Sequence, residues 1–265
     1  MTTMTEANIR LGAILAEAEN QQSSLSATQL ESNGLVPDSV ETGMAAQAIA
    51  AAAIGKEVGG WKVAMNGVRA VAAPLLDVFD TVTDTAFNVP KPGAIGIEIE
   101  ICFVLAEDIP ALEANSDYSR EDILAHVASV HMGAELVSYR MIEENKAPFA
   151  LHLADRLGNH SFVLGPEVDH SIMERLANHD ATLPALVLES GAEVLFAAVP
   201  KHPQSDPLAP LLSYANAPLD HLGGLKRGQV VTTGSLCGLI RLSGQTSIKA
   251  SWGDIGQLVV TLPAR

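Results

Sequence analysis

Aromatic residues are scarce in this chain, at 4% of 265 residues. The core must therefore be filled by aliphatic side chains and alanine. With hydrophobic residues at 48%, the composition excludes a disordered polymer. Cysteine is limited to Cys102 and Cys237, which have no metal-ligand spacing and fit buried thiols in a reducing compartment. Basic residues are in deficit, 16 against 31 acids, for a net charge of −15. No Lys/Arg stripe exists to neutralise phosphates, which excludes nucleic acid as a partner. The acidic surface also argues against an anionic membrane.

No apolar run reaches the roughly 20 residues of a spanning helix. The opening MTTMTEANIR has no basic segment followed by an apolar one, so the expected location is the cytoplasm. There is no G-x-G-x-x-G after a strand, no P-loop and no internal repeat. Ser235, in TTGSLCG, is not in a G-x-S-x-G elbow, and His126, His131, His152, His160 and His170 form no triad with a nucleophile.

What is present begins with helices. Residues 6–20 carry apolar residues at helical spacing, and a second run opens at Asp38-Ser39 and stops at Gly59-Gly60. A Ser/Gln-rich joint separates them. Residues 1–60 thus read as a helical N-terminal region, and 61–265 as the main domain. In the latter, after WKVAM, strand-like runs occur at 78–83, 97–105, 161–164, 186–189, 192–199, 229–233, 236–242, 246–251 and 256–262. Helices are expected at 119–132, with Ser119 and Asp122 as a capping box, at 149–157 and at 206–222. Many short strands with few helices predict an α+β fold around a curled mixed sheet.

One strand is odd. In GIEIEICF, residues 96–103, Glu98 and Glu100 share one face while Ile97, Ile99 and Ile101 share the other. Either the acidic face looks at water, or it holds a divalent cation. Two adjacent carboxylates in an apolar setting repel each other unless a cation neutralises them. Mg²⁺ and Mn²⁺ take oxygen ligands and leave room for a chelating substrate. Glu135, in the apolar segment GAELVSYR, is the candidate third acid.

Seven segments in order, GGWKVAMN, PLLDVF, IEIEICFVLAEDIP, AELVSYR, LADRLGNHSFVLG, VVTTGSL and IGQLVVTL, resemble the hydratase/decarboxylase branch of the fumarylacetoacetate hydrolase superfamily. The similarity is greatest to the 2-keto-4-pentenoate hydratases, and it extends to the 2-oxohepta-3-ene-1,7-dioate hydratases and 4-oxalocrotonate decarboxylases. It implies a rolled mixed-sheet core with flanking helices, a homo-oligomer, and Mg²⁺ or Mn²⁺ held by Glu98, Glu100 and Glu135. It implies catalytic roles for Lys62, as an oxyanion partner or a proton shuttle with a lowered pKa, and for Asp77, which would orient Lys62 or a water. Asp155, Arg156, Thr233 and Gly234 fall at substrate-binding positions. The implied reaction is hydration of a 2-hydroxydienoate or 2-keto-enoate in aromatic meta-cleavage-type catabolism. The alternatives are decarboxylation of a 2-oxo dicarboxylate, C–C hydrolysis of an acylpyruvate with His131 or a histidine on a mobile segment activating water, or a binding protein that kept only the fold.

The match breaks in LADRLGNHSFVLG: Arg156, Gly158 and His160 stand where the hydratases usually carry Asn, Ser and Gly. Arg156 fits a second substrate carboxylate. An internal Asp155–Arg156 or Glu–Arg pair accounts for it equally well.

Overall fold

A computed structural model describes residues 5–81, 86–113, 116–219 and 222–263. Helix α1 (Glu6–Gln21) is capped by Thr5, and α3 (Val40–Ile54) by a Ser39–Thr42 capping box. Between them lies a short helix, α2 (Ala27–Ser32), in the joint that reads as a linker in the sequence. Leu11, Leu15, Leu30, Ala46 and Ala50 form a small apolar cluster together with Met141 and Leu151. Alanine and glycine set the closeness of the helices, since a Cβ on Gly12 would collide with Ile49 and the Ala46 carbonyl.

The remainder is two mixed sheets. The larger runs β2 (Arg69–Leu75), β1 (Gly60–Asn66), β10 (Val230–Ser235), β5 (Gly96–Leu105), β6 (Val127–Val137), β7 (Asn159–Val168) and β3 (Val78–Asp80), with β11 (Ile240–Arg241) also pairing β5. The smaller runs β4 (Ala86–Asn88), β13 (Gly256–Thr261), β12 (Ser247–Trp252), β8 (Leu186–Ser190) and β9 (Glu193–Ala198). Parallel pairs β1–β10, β3–β7 and β4–β13 make both sheets mixed. Ile97, Ile99, Ile101 and Phe103 of β5 share the main core with Leu186, Leu188, Trp252, Leu258 and Val260 of the smaller sheet. Among the described residues, four further α-helices flank the sheets: α4 (Arg120–Ala125), α5 (Phe149–Ala154), α6 (Ser171–Ala177) and α7 (Ala209–Asn216). The expected α+β fold with a curled mixed-sheet core is therefore present.

One element differs in kind. The helix expected over 119–132 keeps its Ser119–Asp122 capping box but ends at Ala125, and 127–137 form a central strand. Strands β5 and β7 both pair with this segment, so ladder hydrogen bonds on two sides outweigh its local helical spacing. Strand β2 is unanticipated, and the run 236–242 shrinks to two residues. The last two residues of the run 78–83, and 220–221 of the run 206–222, lie outside the described residues. Among the described residues no helix is long and apolar enough to cross a membrane.

Candidate metal centre

Strand alternation puts Glu98 and Glu100 on the face of β5 opposite its core isoleucines, but that face does not look at water. Glu100 is 1% exposed. Glu135 lies directly opposite Glu98 in the antiparallel β5–β6 register, and its side chain is fully buried. Carboxylate oxygens of Glu98, Glu100 and Glu135 all lie within 4.8 Å of one another. Lys62 on β1 reaches across β10: its Nζ donates to Glu135 Oε1 at 2.9 Å and to the Leu157 carbonyl at 3.4 Å, and lies 3.7 Å from Glu98 Oε2. Three acids thus share one cation.

The imbalance shows in the acid strengths. Burial, followed by the Glu135 and Glu98 charges, pushes the Glu100 carboxyl up to about 8. Glu98 is also raised, by burial and by Glu135, against the pull of Lys62. Burial pulls the Lys62 ammonium down, yet Glu135, Glu98 and Glu100 together hold it above its ordinary value. The three carboxylates outweigh desolvation here, the opposite direction to the lowered pKa on which the sequence reading's proton-shuttle alternative depends.

Groups to which the sequence reading gave other roles or none hold the acids in place. Asn159 Nδ2 donates to Glu135 Oε1 at 3.0 Å from a fully enclosed position. Strand β10 bulges between Thr232 and Ser235, so that the Thr232 hydroxyl and the Gly234 N–H (3.2 Å) both donate to Glu100 Oε2. Arg156, Leu157 and Gly158 all have positive φ, a strained left-handed run that presents the Leu157 carbonyl to Lys62. A glycine is required at its end, where the Tyr139 ring occupies the space of a Cβ. Bulge and left-handed run both depend on the neighbouring strands and could not be seen in a linear pattern.

Other expected positions are engaged elsewhere. Asp77 pairs with Lys56 at 2.5 Å and Lys91 at 3.2 Å, not with Lys62. Asp155 is committed to Arg140, accepting from its side chain and from its backbone N–H at 3.0 Å. Arg156 is buried against Glu19 of α1, at 3.1 Å, so the internal Glu–Arg pair that the sequence allowed is present. The Thr233 hydroxyl donates to the Pro207 carbonyl at 2.7 Å, and the Gly234 N–H is used by Glu100, so neither group is free for a substrate carboxylate. Both ring nitrogens of His131 are occupied, by Ser129 Oγ and the Gly165 carbonyl, which removes it as a base for water.

The donor set fits a hard divalent cation. It is all oxygen and it carries excess negative charge, with only the Lys62 ammonium, 2.9 Å from each oxygen of the buried Glu135 carboxylate, set against the three acids. Lys62 and Glu98, each 16% exposed at the side chain, form its accessible side, while Glu100 and Glu135 close the other.

No family model matches the chain, and no curated protein matches it in sequence. Among solved structures, 4-oxalocrotonate decarboxylase from Pseudomonas putida G7 matches in a complex with magnesium and adipate, at TM-score 0.74 and 17% identity. The same enzyme with calcium and acetate matches at TM-score 0.72 and 17% identity. Each alignment covers 98% of this chain and 99% of the other. The likeness carries the architecture: this chain has the fumarylacetoacetate-hydrolase-like fold, a curled mixed sheet flanked by helices, over its full aligned length.

Proposed function

We propose that the protein is a divalent-metal-dependent enzyme that decarboxylates a small 2-oxo dicarboxylate, with Glu98, Glu100 and Glu135 holding Mg²⁺ or Mn²⁺. The observation that carries the reading is the buried set of three carboxylates converging beside a single ammonium. Decarboxylation takes precedence over hydration because the full-length structural neighbours are structures of a decarboxylase bound to divalent metals. Hydration remains the second reading, supported by the motifs shared in sequence with the hydratases.

When bound, the metal supplies Lewis-acid polarisation of a 2-oxo group and offsets the charge of the three acids. The chain's own residues do the rest. Lys62 stays an ammonium and donates a hydrogen bond to the oxygen on which enolate charge develops. The Leu157 carbonyl and Glu135 fix its direction, so little reorganisation is needed as that charge grows. After CO₂ departs, the same ammonium is the proton donor nearest the resulting carbanion's oxygen. Thr232, Gly234 and Asn159 prevent the acids from swinging apart while they are unneutralised. Asp77 acts from outside this cluster, by holding Lys56 and Lys91.

The test is a product assay with Mg²⁺, Mn²⁺ or EDTA on 2-oxohex-3-enedioate, 2-hydroxypenta-2,4-dienoate and an acylpyruvate. Metal-dependent CO₂ release from the first is expected. Hydration of the second without CO₂ release would move the assignment to a hydratase, and C–C cleavage of the third to a hydrolase. Turnover unaffected by exhaustive metal removal would overturn the metal reading.

A further inference from the structure

The bulge that turns the Gly234 N–H onto Glu100 has a support on its far side. Strand alternation sends the Thr232 hydroxyl to Glu100 and the Thr233 side chain the other way. There Thr233 meets the loop 199–208, which joins β9 to α7. Gly234 has φ +145, a backbone conformation that suits glycine. A Cβ at this position would lie 3.1 Å from His202 Nε2 and 3.2 Å from the Pro203 ring. His202 and Pro203 therefore fill the space against the bulge, which has no room to flatten towards them.

Hydrogen bonds give that contact a direction. His202 is buried, and burial lowers its pKa to about 4, so near neutral pH the ring carries one donor and one acceptor. Its Nδ1 accepts from the Gln204 N–H at 3.2 Å, which leaves the ring proton on Nε2. The Thr233 hydroxyl spends its own proton on the Pro207 carbonyl at 2.7 Å. Its oxygen is then the acceptor for His202 Nε2–H, at a long 3.5 Å. Donation runs one way, from Gln204 through His202 and Thr233 to Pro207, and closes the loop around the Thr233 side chain.

The loop is itself anchored. Asp206 accepts from Arg120 of α4, from Nε at 2.9 Å and Nη2 at 3.4 Å, and from the Leu208 N–H at 3.0 Å. The Ser205 N–H returns to the His202 carbonyl at 3.0 Å. Within this frame Pro203 supplies packing and Pro207 a backbone carbonyl, whereas His202 brings both a buried ring and a polar tip to the bulge. The effect reaches the acids, because Glu100 Oε2 accepts from the Thr232 hydroxyl and from the Gly234 N–H at 3.2 Å. A strand free to flatten would turn the Gly234 N–H away and leave that oxygen less firmly aimed.

We propose that His202 is a positioning residue for the metal centre: seated behind the β10 bulge, it holds the Gly234 N–H on Glu100 and, through β10, sets the direction of that carboxylate. The proposal rests on the metal reading above and adds to it a residue from outside the acid cluster. It also separates two roles for His202, since a group that only fills the core would affect stability and leave the metal affinity alone.

The experiment titrates Mn²⁺ by calorimetry into wild type, His202→Leu and His202→Gln, with Leu30→Ala of the N-terminal helical cluster as a packing control. His202→Leu should weaken Mn²⁺ binding roughly tenfold, the low end for partners that orient metal ligands. His202→Gln, whose amide nitrogen places a donor near the position of Nε2, should recover most of that loss. Leu30→Ala should lower the urea midpoint and leave Mn²⁺ affinity unchanged. In the metal-free protein the Gly234 amide proton resonance should move upfield in His202→Leu and stay in place in Leu30→Ala. Unchanged Mn²⁺ affinity in His202→Leu, or equal losses in the Leu and Gln variants, overturns this proposal alone. Should His202→Leu fail to fold, Thr233→Val removes the same link at nearly constant shape: a loss of roughly tenfold is expected, and unchanged affinity overturns the proposal. A wild type that binds no Mn²⁺ overturns the metal reading, and this proposal with it.

Discussion

Among the described residues, two largely enclosed clusters of ionised groups carry opposite imbalances of charge. Around Glu98, Glu100 and Glu135 three acids share Lys62. On the other side of the Arg156–Asn159 segment, Lys56, Lys91, Arg140 and Arg156 meet Glu19, Asp77 and Asp155. In the second cluster four cations face three acids, and Lys91 and Arg140 are each engaged several times over, while Arg156 reaches only Glu19. Lys91 donates to Glu19, to Asp77 and to the His160 carbonyl, and Arg140 donates to Asp155, Glu19 and the Asn159 carbonyl. A cavity of about 270 Å³ borders this network, yet the cations that line it, Lys91 and Arg140, are already committed. The comparison teaches that buried charge by itself does not mark a site. The cluster with the larger imbalance, three acids to one cation, is the one that calls for a ligand, while the cation-rich cluster ties α1 to the loop that supports Lys62.

Substitutions should separate the two. Glu135→Gln should remove nearly all metal-dependent turnover and weaken Mn²⁺ binding by well over a hundredfold, since a ligand counts for more than the hydrogen-bond partner of one. The metal-free protein should melt no lower than wild type, because a crowded acid has gone. Retained Mn²⁺ binding by calorimetry would place the site elsewhere.

In the cation-rich cluster the same kind of change should act on stability. Glu19→Gln removes the acid that faces Lys91, Arg140 and Arg156, and should cost roughly 3 kcal/mol in urea unfolding, the usual penalty for stranding buried charge. A loss below about 0.5 kcal/mol would mean that the cations find other partners.

Acid should loosen the cation-rich cluster as well. Burial, then Lys91, lowers the His160 imidazole to about 4 from its ordinary 6.5. The unfolded chain therefore binds the proton more readily. The stability contributed by neutral His160 is complete above pH 6.5 and is lost as pH falls towards 4, at most about 3 kcal/mol. His160→Gln should flatten the fall in urea midpoint over that window. An unchanged slope would assign the acid sensitivity to other groups; His202, which burial also lowers to about 4, is the next to test.

Much of the acid site is legible in the linear chain. Glu98 and Glu100 share a face because side chains alternate along any strand, and the flanking isoleucines reveal which face meets the core. Helices α1 and α3 are equally plain, from their periodicity and the Ser39 cap. The 127–137 strand was hidden because HVASVHM also suits a helix, and only pairing on both sides decides the matter. Asn159 and Thr232 gave no signal: a polar residue in a strand becomes a support for a carboxylate only through a register spanning tens of residues.

Arg156 marks the boundary between the two kinds of information. The sequence fixes an arginine beside Asp155, and a guanidinium there suits either a substrate carboxylate or an internal one. Tertiary structure supplies the internal one, because α1 brings Glu19 to within 3.1 Å and leaves Arg156 closed to solvent. The sequence by itself determined the chemistry on offer: a metal-sized set of acids, one lysine, and an aliphatic mixed-sheet frame to hold them. Which charges end up matched and which are left needing a ligand was decided only by folding, since counter-charge depends on distance in space and those partners lie far apart along the chain.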